Sequence, residues 1–194
     1  MMQRILHTAA RALLPLWMAA AVLSGCTLGA GTEETVQREV EAISAMKELS
    51  LVEYRVRKIV KADVQGEWYK IGDRKILLSC TAYLKAGIDL SSFGMDDVDY
   101  DRLTGTVSVT IPHATLLSLD IPASEIRQEY EHVTMLRSSF SAEDRNALLR
   151  QGEKQIRESV PSLGILPKAE ENARKFFESV FAKMGFTSVE VTFR

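Results

Sequence analysis

Positive charge is not in excess in this sequence: 24 lysines and arginines stand against 26 acidic residues, and no basic tract occurs. Clustered positive charge is what draws a protein to nucleic acid or to anionic lipid, so neither partner is expected on electrostatic grounds. Histidine is scarce, three in 194 residues. Neither His113 nor His132 is paired with a cysteine, histidine or glutamate at zinc-ligand spacing, which leaves zinc unsupported. The serine nucleophile pattern G-x-S-x-G, the G-x-G-x-x-G dinucleotide fingerprint and the P-loop are missing. No metal and no cofactor are therefore expected. The longest apolar run, residues 12–23, is broken by Pro15. It falls short of the roughly 20 residues that a helix needs to cross a bilayer. Internal repeats and low-complexity segments are absent too.

What is present begins at the amino terminus. Arg4 and Arg11 precede the apolar run with no acid among them, and the run ends in Leu23-Ser24-Gly25-Cys26. A basic start, an apolar middle and a small-residue exit are the three parts of a secretory signal peptide. The exit resembles the lipobox of bacterial lipoproteins. That resemblance implies cleavage between Gly25 and Cys26 and a diacylglyceryl thioether on the Cys26 sulfur, the stronger nucleophile compared with a hydroxyl. Two or more acyl chains, at ~0.8 kcal/mol per buried methylene, make a durable anchor. Three regions are expected: a signal peptide at 1–25, a lipid-anchored spacer and first helix at 26–48, and one domain at 49–194. Removing residues 1–25 takes away two basic residues and no acid, leaving 169 residues with a net charge of −4. With Cys26 acylated, Cys80 has no partner for a disulfide. It lies in the apolar run KILLSCTAYL, where a small buried hydrophobe is expected.

Periodicity divides the rest of the chain. Thr32 can cap a helix carrying Glu33 and Glu34 in its first turn and Val36, Val40, Ile43 and Met46 on one face. Val52, Tyr54 and Val56 alternate with Glu53, Arg55 and Arg57, which predicts a half-buried strand; the adjacent Ile59 and Val60 suggest a bulge near Lys58. Residues 76–84 read as a central strand ended by Gly87, and residues 98–111 as a hairpin turning at 102–105. Leu117, Leu119 and Ile121 mark a further strand, while residues 123–140 fit either a helix or an extended edge. Ser141 and Asp144 form a capping box for a polar helix to about Ser159, with Leu149, Ile156 and Val160 as its stripe. A last helix opens near Pro167 and turns Ala169, Ala173, Phe176, Val180 and Met184 inward. Glu170–Arg174 and Glu171–Lys175 pairs fall on its outer side, Gly185 ends it, and the chain closes on a strand. The fold class expected is α+β, a mostly antiparallel sheet of about five or six strands covered by amphipathic helices.

KAGIDL at residues 85–90, Val107-x-Val109-x-Ile111-Pro112, and Gly164-Ile165-Leu166 followed by Ala169-Glu170-x-Asn172-Ala173 occur in that order. Together they resemble the bacterial family called domain of unknown function 4230, over about residues 48–194. The resemblance implies an amino-terminal membrane anchor before the domain and brings no assigned activity. Within these motifs, Asp89 is expected to accept a hydrogen bond from the amide of Ser91 or Ser92, and Asn172 either to bond to a neighbouring strand or to face water.

Candidate sites are few. Trp68 and Tyr69, in a polar connection beside Gly66 and Gly72, together with Asp89, form a candidate binding surface. Asp97, Asp99 and Asp101 invite a calcium reading, but an EF-hand needs glycine and glutamate where Arg102 and Ser108 stand. A solvated sheet face is the simpler expectation for the three aspartates. The functional expectation is a lipid-anchored envelope protein acting as a non-catalytic binding or scaffolding module for an unknown envelope partner. The alternative is a hydrolase-like envelope enzyme using Asp89 with an acid from the Asp96–Asp101 segment. Assembly through an exposed sheet edge is a third class.

Overall fold

The computed structural model describes residues 33–64, 73–134 and 137–194. Its axis is a pair of long antiparallel strands, β1 (Glu48–Val64) and β2 (Arg74–Asp89). Beyond the bulge described below, even-numbered residues of both strands share one face: Tyr54 opposes Leu84, Val56 opposes Ala82, Val60 opposes Leu78. That face is apolar, and β2 contributes Ile76, Leu78, Cys80, Ala82, Leu84, Ala86 and Ile88 to the core. No phase slip occurs at Lys58. Lys58 pairs with Cys80 on the apolar face and Ile59 lies on the other, 60% exposed. The flexible stem of lysine can lie along apolar surface with its head in water, so strict alternation survives where the sequence suggests a break.

The bulge is instead at Leu51, between Ser50, which pairs with Gly87, and Val52, which pairs with Ala86. Gly87 does not end β2, which continues to Asp89. A Cβ at Gly87 would stand 1.9 Å from the Leu49 carbonyl oxygen. The glycine is thus required by a close approach of backbone to backbone. Leu51, the extra residue, gives its carbonyl to the Asn172 side chain at 3.1 Å.

On its other edge β2 carries two collinear strands, β5 (Thr115–Asp120) and β6 (Ile126–Val133). Residues 126–133 therefore take the extended alternative. Each of the two strands has a bulge of its own, at Leu117 and at Glu129. A second sheet holds the expected hairpin, β3 (Val98–Asp101) and β4 (Thr106–Ile111), and the closing strand β7 (Ser188–Phe193) beside β4. The β4–β7 pairing is parallel, reached after two intervening strands and two helices, a long-range contact that local periodicity does not reveal. The fold is α+β, with mostly antiparallel pairing distributed over two sheets.

Helix α1 (Glu33–Ala45) buries Val36, Val40 and Ile43 as its pattern predicts, but Met46 lies beyond its end and is 45% exposed. Helix α2 (Ala142–Ser159) starts at the predicted capping box: Ser141 Oγ accepts from the Asp144 amide, and Asp144 accepts from the Ser141 amide. It buries Leu148, Gly152 and Ile156, one position away from the expected Leu149. Helix α3 (Ile165–Lys183) buries Ile165, Ala169, Ala173, Phe177 and Phe181 in a row four apart. Phe176, Val180 and Met184 pack beside that row and are only partly buried. α3 packs against β1 and β2 of the first sheet and β7 of the second, which joins the two sheets in one core. Phe177 meets Phe93 edge-on at 5.5 Å, and Phe181 meets Phe186 at 6.1 Å. Side chains of this size contribute roughly 1.5–3 kcal/mol each when fully buried. Glu171 pairs with Lys175 as expected, whereas Glu170 turns to His113 Nδ1 and Arg174 to the Val191 carbonyl.

Replacing Gly87 with alanine is expected to cost about 3 kcal/mol or more, since rigid backbone atoms must move to admit the methyl group. Urea denaturation measures it, and a cost below about 1 kcal/mol would contradict the close packing at the bulge.

Candidate functional site

β1 and β2 are long enough to carry a second face, and the helices do not cover it. Arg55, Arg57 and Ile59 of β1 lie there beside Tyr83, Thr81 and Ser79 of β2, to which they are directly paired. On the far edge β5 ends opposite Tyr83 and β6 begins opposite Cys80. The chain between them, residues 121–125, leaves the ladder and forms a single 3-10 turn, Ala123–Glu125. Thr81 and Ala82 thus have no strand partner on that side. A cleft of about 340 Å³ lies at this break, lined by Arg55, Arg57, Ser79, Thr81, Glu125 and Arg127.

The 3-10 turn before β6 and the bulge within it each bring a carboxylate to residues that line the cleft. The 3-10 turn places Glu125 where Arg55 donates to its two oxygens at 3.3 and 3.4 Å, beside the Thr81 hydroxyl. The bulge turns Glu129 so that its Oε1 accepts from Ser79 Oγ at 2.5 Å and from Arg57 Nη2 at 2.9 Å. Bulges re-aim side chains in this way and gather near functional sites. Ser79 and Thr81 are buried although they lie on the open face, at 2% and 8% exposure. Their hydroxyls, first, and the neighbouring guanidiniums hold Glu125 and Glu129 below the usual carboxylate range. Arg55 also lies over the Tyr83 ring, 5.6 Å from its centre. The cleft is therefore lined by three guanidiniums and the Glu125 carboxylate, with the Glu129 carboxylate bonded to two of its lining residues, Arg57 and Ser79.

The residues that the sequence singles out fall elsewhere. Gly25, Cys26, Trp68 and Tyr69 lie outside the described residues. Asp89 is exposed at the end of β2 and accepts the Ser91 amide at 2.9 Å, the turn expected of it. That bond holds its carboxyl below the usual range. Asp101 likewise accepts from the amides of Leu103 and Thr104 in the β3–β4 turn, with the same effect. Carboxyls stabilised as anions in this way are poorly suited to give up or take a proton near neutral pH. Asp96 is exposed. Asp97 does not share a solvated strand face with Asp99 and Asp101: it precedes β3, accepts the Gly94 amide and pairs with Arg194. Asp99 and Asp101 line a depression of about 240 Å³ with Glu190. Among the described residues no group of three or more histidine, cysteine or acidic side chains is placed to hold a metal, and no helix is long and apolar enough to cross a membrane. Cys80 is buried, 1% exposed, and burial pushes its thiol up, away from the reactive thiolate.

The family model described as "Protein of unknown function (DUF4230)" matches residues 41–191. The chain belongs to the DUF4230 family. No curated protein and no solved structure gives a significant match. In this DUF4230 chain two of the segments that carry the resemblance converge: KAGIDL spans the end of β2, and its Gly87 lies against the β1 bulge whose carbonyl Asn172 of α3 binds. Sequence reasoning places Arg55 and Arg57 on an outward face but does not find the cleft. Its one local signal is the stop at Pro122 between two alternating segments.

The Glu129 carboxyl should move up toward the usual range in Ser79→Ala, because the first cause of its depression is removed. A depressed folded-state value means that the stability it brings is present above the unfolded glutamate pKa and lost as pH falls through the folded one. Carboxyl-detected NMR titration of parent and variant reads the shift directly; an unchanged midpoint would remove Ser79 from the site's electrostatics.

Proposed function

We propose that this DUF4230 protein is a lipid-anchored component of the bacterial cell envelope that works as a non-catalytic binding module, with the open face of its larger sheet as the contact surface. The observation that carries this reading is the convergence of two irregularities on one polar cleft in a face that none of the described helices covers. Irregularities cost ladder hydrogen bonds, and here the loss is set against the positioning of Glu125 and Glu129. The leader ending in Leu23-Ser24-Gly25-Cys26 supports the anchor, and the short segment after Cys26 supports a domain held close to the membrane surface. The local turn duties of Asp89 and Asp101 favour binding over acid–base chemistry.

Cys26→Ala tests the anchor. In a bacterial host given labelled palmitate, the parent should enter the membrane fraction as a processed, labelled product. The variant should retain its leader and take no label. Equal processing and labelling of the two would overturn the anchored reading.

A further inference from the structure

The cleft on the open face has both spent and unspent groups. Arg55 is occupied by both oxygens of Glu125 and by the Tyr83 ring. Arg57 gives one nitrogen, Nη2, to Glu129, and both bonds to Glu129 end on its Oε1. The remaining N–H groups of Arg57 and the Oε2 atom of Glu129 are free of these bonds. Arg127, paired in the ladder with Ser79, lines the cleft and is exposed. Among the described residues it forms no ion pair within 4 Å, and acts on Glu125 and Glu129 only through the longer-range field. A guanidinium presents five donors in a rigid fork that matches a carboxylate.

Charge then selects the guest. Three guanidiniums and two carboxylates leave one positive charge uncompensated, which suits a monoanion. The free Glu129 oxygen asks that this monoanion carry a hydrogen-bond donor close to its charge. Inorganic phosphate and sulfate offer chiefly acceptors and would face two carboxylates. A neutral amino acid brings the donor but no net charge, and an acidic one brings a second carboxylate to a site that already holds Glu125 and Glu129. A sugar acid brings one carboxylate beside ring hydroxyls, and a cleft of about 340 Å³ sits within the usual size range for small-ligand sites.

We infer that the cleft between β1 and the β5–β6 break binds a sugar acid, its carboxylate on Arg127 and the free edge of Arg57, a ring hydroxyl donating to Glu129. The inference rests on the open face being the binding surface and is independent of the lipid anchor. Saturation-transfer NMR on the full chain in detergent micelles tests it with D-glucuronate, D-glucose and inorganic phosphate as probes. Glucuronate should give a saturable signal, glucose none, and an equal concentration of phosphate should leave the glucuronate signal in place. Arg127→Ala should weaken glucuronate by about tenfold, the loss of one charge-assisted contact, while Lys154→Ala on the exposed side of α2 should not. No glucuronate signal, an equal signal from glucose, displacement by phosphate, or an unaffected Arg127→Ala would each overturn the sugar-acid assignment. Photo-crosslinking from position 59 in cells separates the two levels. Adducts to an envelope component that survive such a result leave the open face as a binding surface and remove only the ligand class; their absence removes both.

Discussion

The bulge of β1 at Leu51 is the point on which the rest of the structure depends. There the Leu49 carbonyl occupies the volume that a side chain at position 87 would need, and the Leu51 carbonyl is taken by Asn172 from α3. The bulge shifts the register of β1 against β2 by one residue, so that Leu49 and Ile88 face each other before it and Tyr54 and Leu84 after it. A strand with period-two alternation cannot change phase without such a device. Because Asn172 belongs to the helix that also packs on β7, the same contact ties the register of the first sheet to the placement of the second. Segments far apart in sequence thus meet at one backbone irregularity, and two of them, around Gly87 and Asn172, are among those that carry the resemblance to the family.

The two faces of the larger sheet serve different ends. The helix-covered face holds buried apolar side chains from Ile76 to Ile88, in one cluster at Ile76 and Leu78 and a larger one from Cys80 on, and their burial supplies the driving force of folding. The open face holds ion pairs whose arginines are 62–63% exposed. Pairs of that exposure contribute about 0–1 kcal/mol, less in salt. Such pairs explain little of the stability, yet two departures from regular strand geometry are present to aim their carboxylates. The charges of the cleft are better understood as a recognition surface than as a fastening.

Much of this was legible in the sequence where the determinant is local. The capping box of Ser141 and Asp144, the stripe of Val36, Val40 and Ile43, the 98–111 hairpin and the Asp89 turn all depend on residues within a few positions of one another. Errors arise where a local pattern has a distant cause. A lone glycine inside an apolar run looks like a strand end, but Gly87 answers to a carbonyl contributed by β1. The adjacent Ile59 and Val60 read as a break near Lys58, yet they fall on opposite faces, with Lys58 keeping its place opposite Cys80. Glu170 stands at pairing distance from Arg174 four residues on, yet His113 from the β4–β5 connection takes it. The cleft itself unites β1, β2 and β6, with Arg57 and Glu129 meeting across 72 positions, and no spacing rule reaches that far.

The separation of fastening from recognition has one direct test. Arg57, Arg127 and Glu129 are replaced together by glutamine, which keeps an acceptor for Ser79 and roughly the same volumes, and the free energy of unfolding is measured by urea denaturation. The account predicts a value within about 1 kcal/mol of the parent, as for exposed ion pairs. A loss of about 3 kcal/mol or more, the cost typical of breaking a buried charge network, would contradict it.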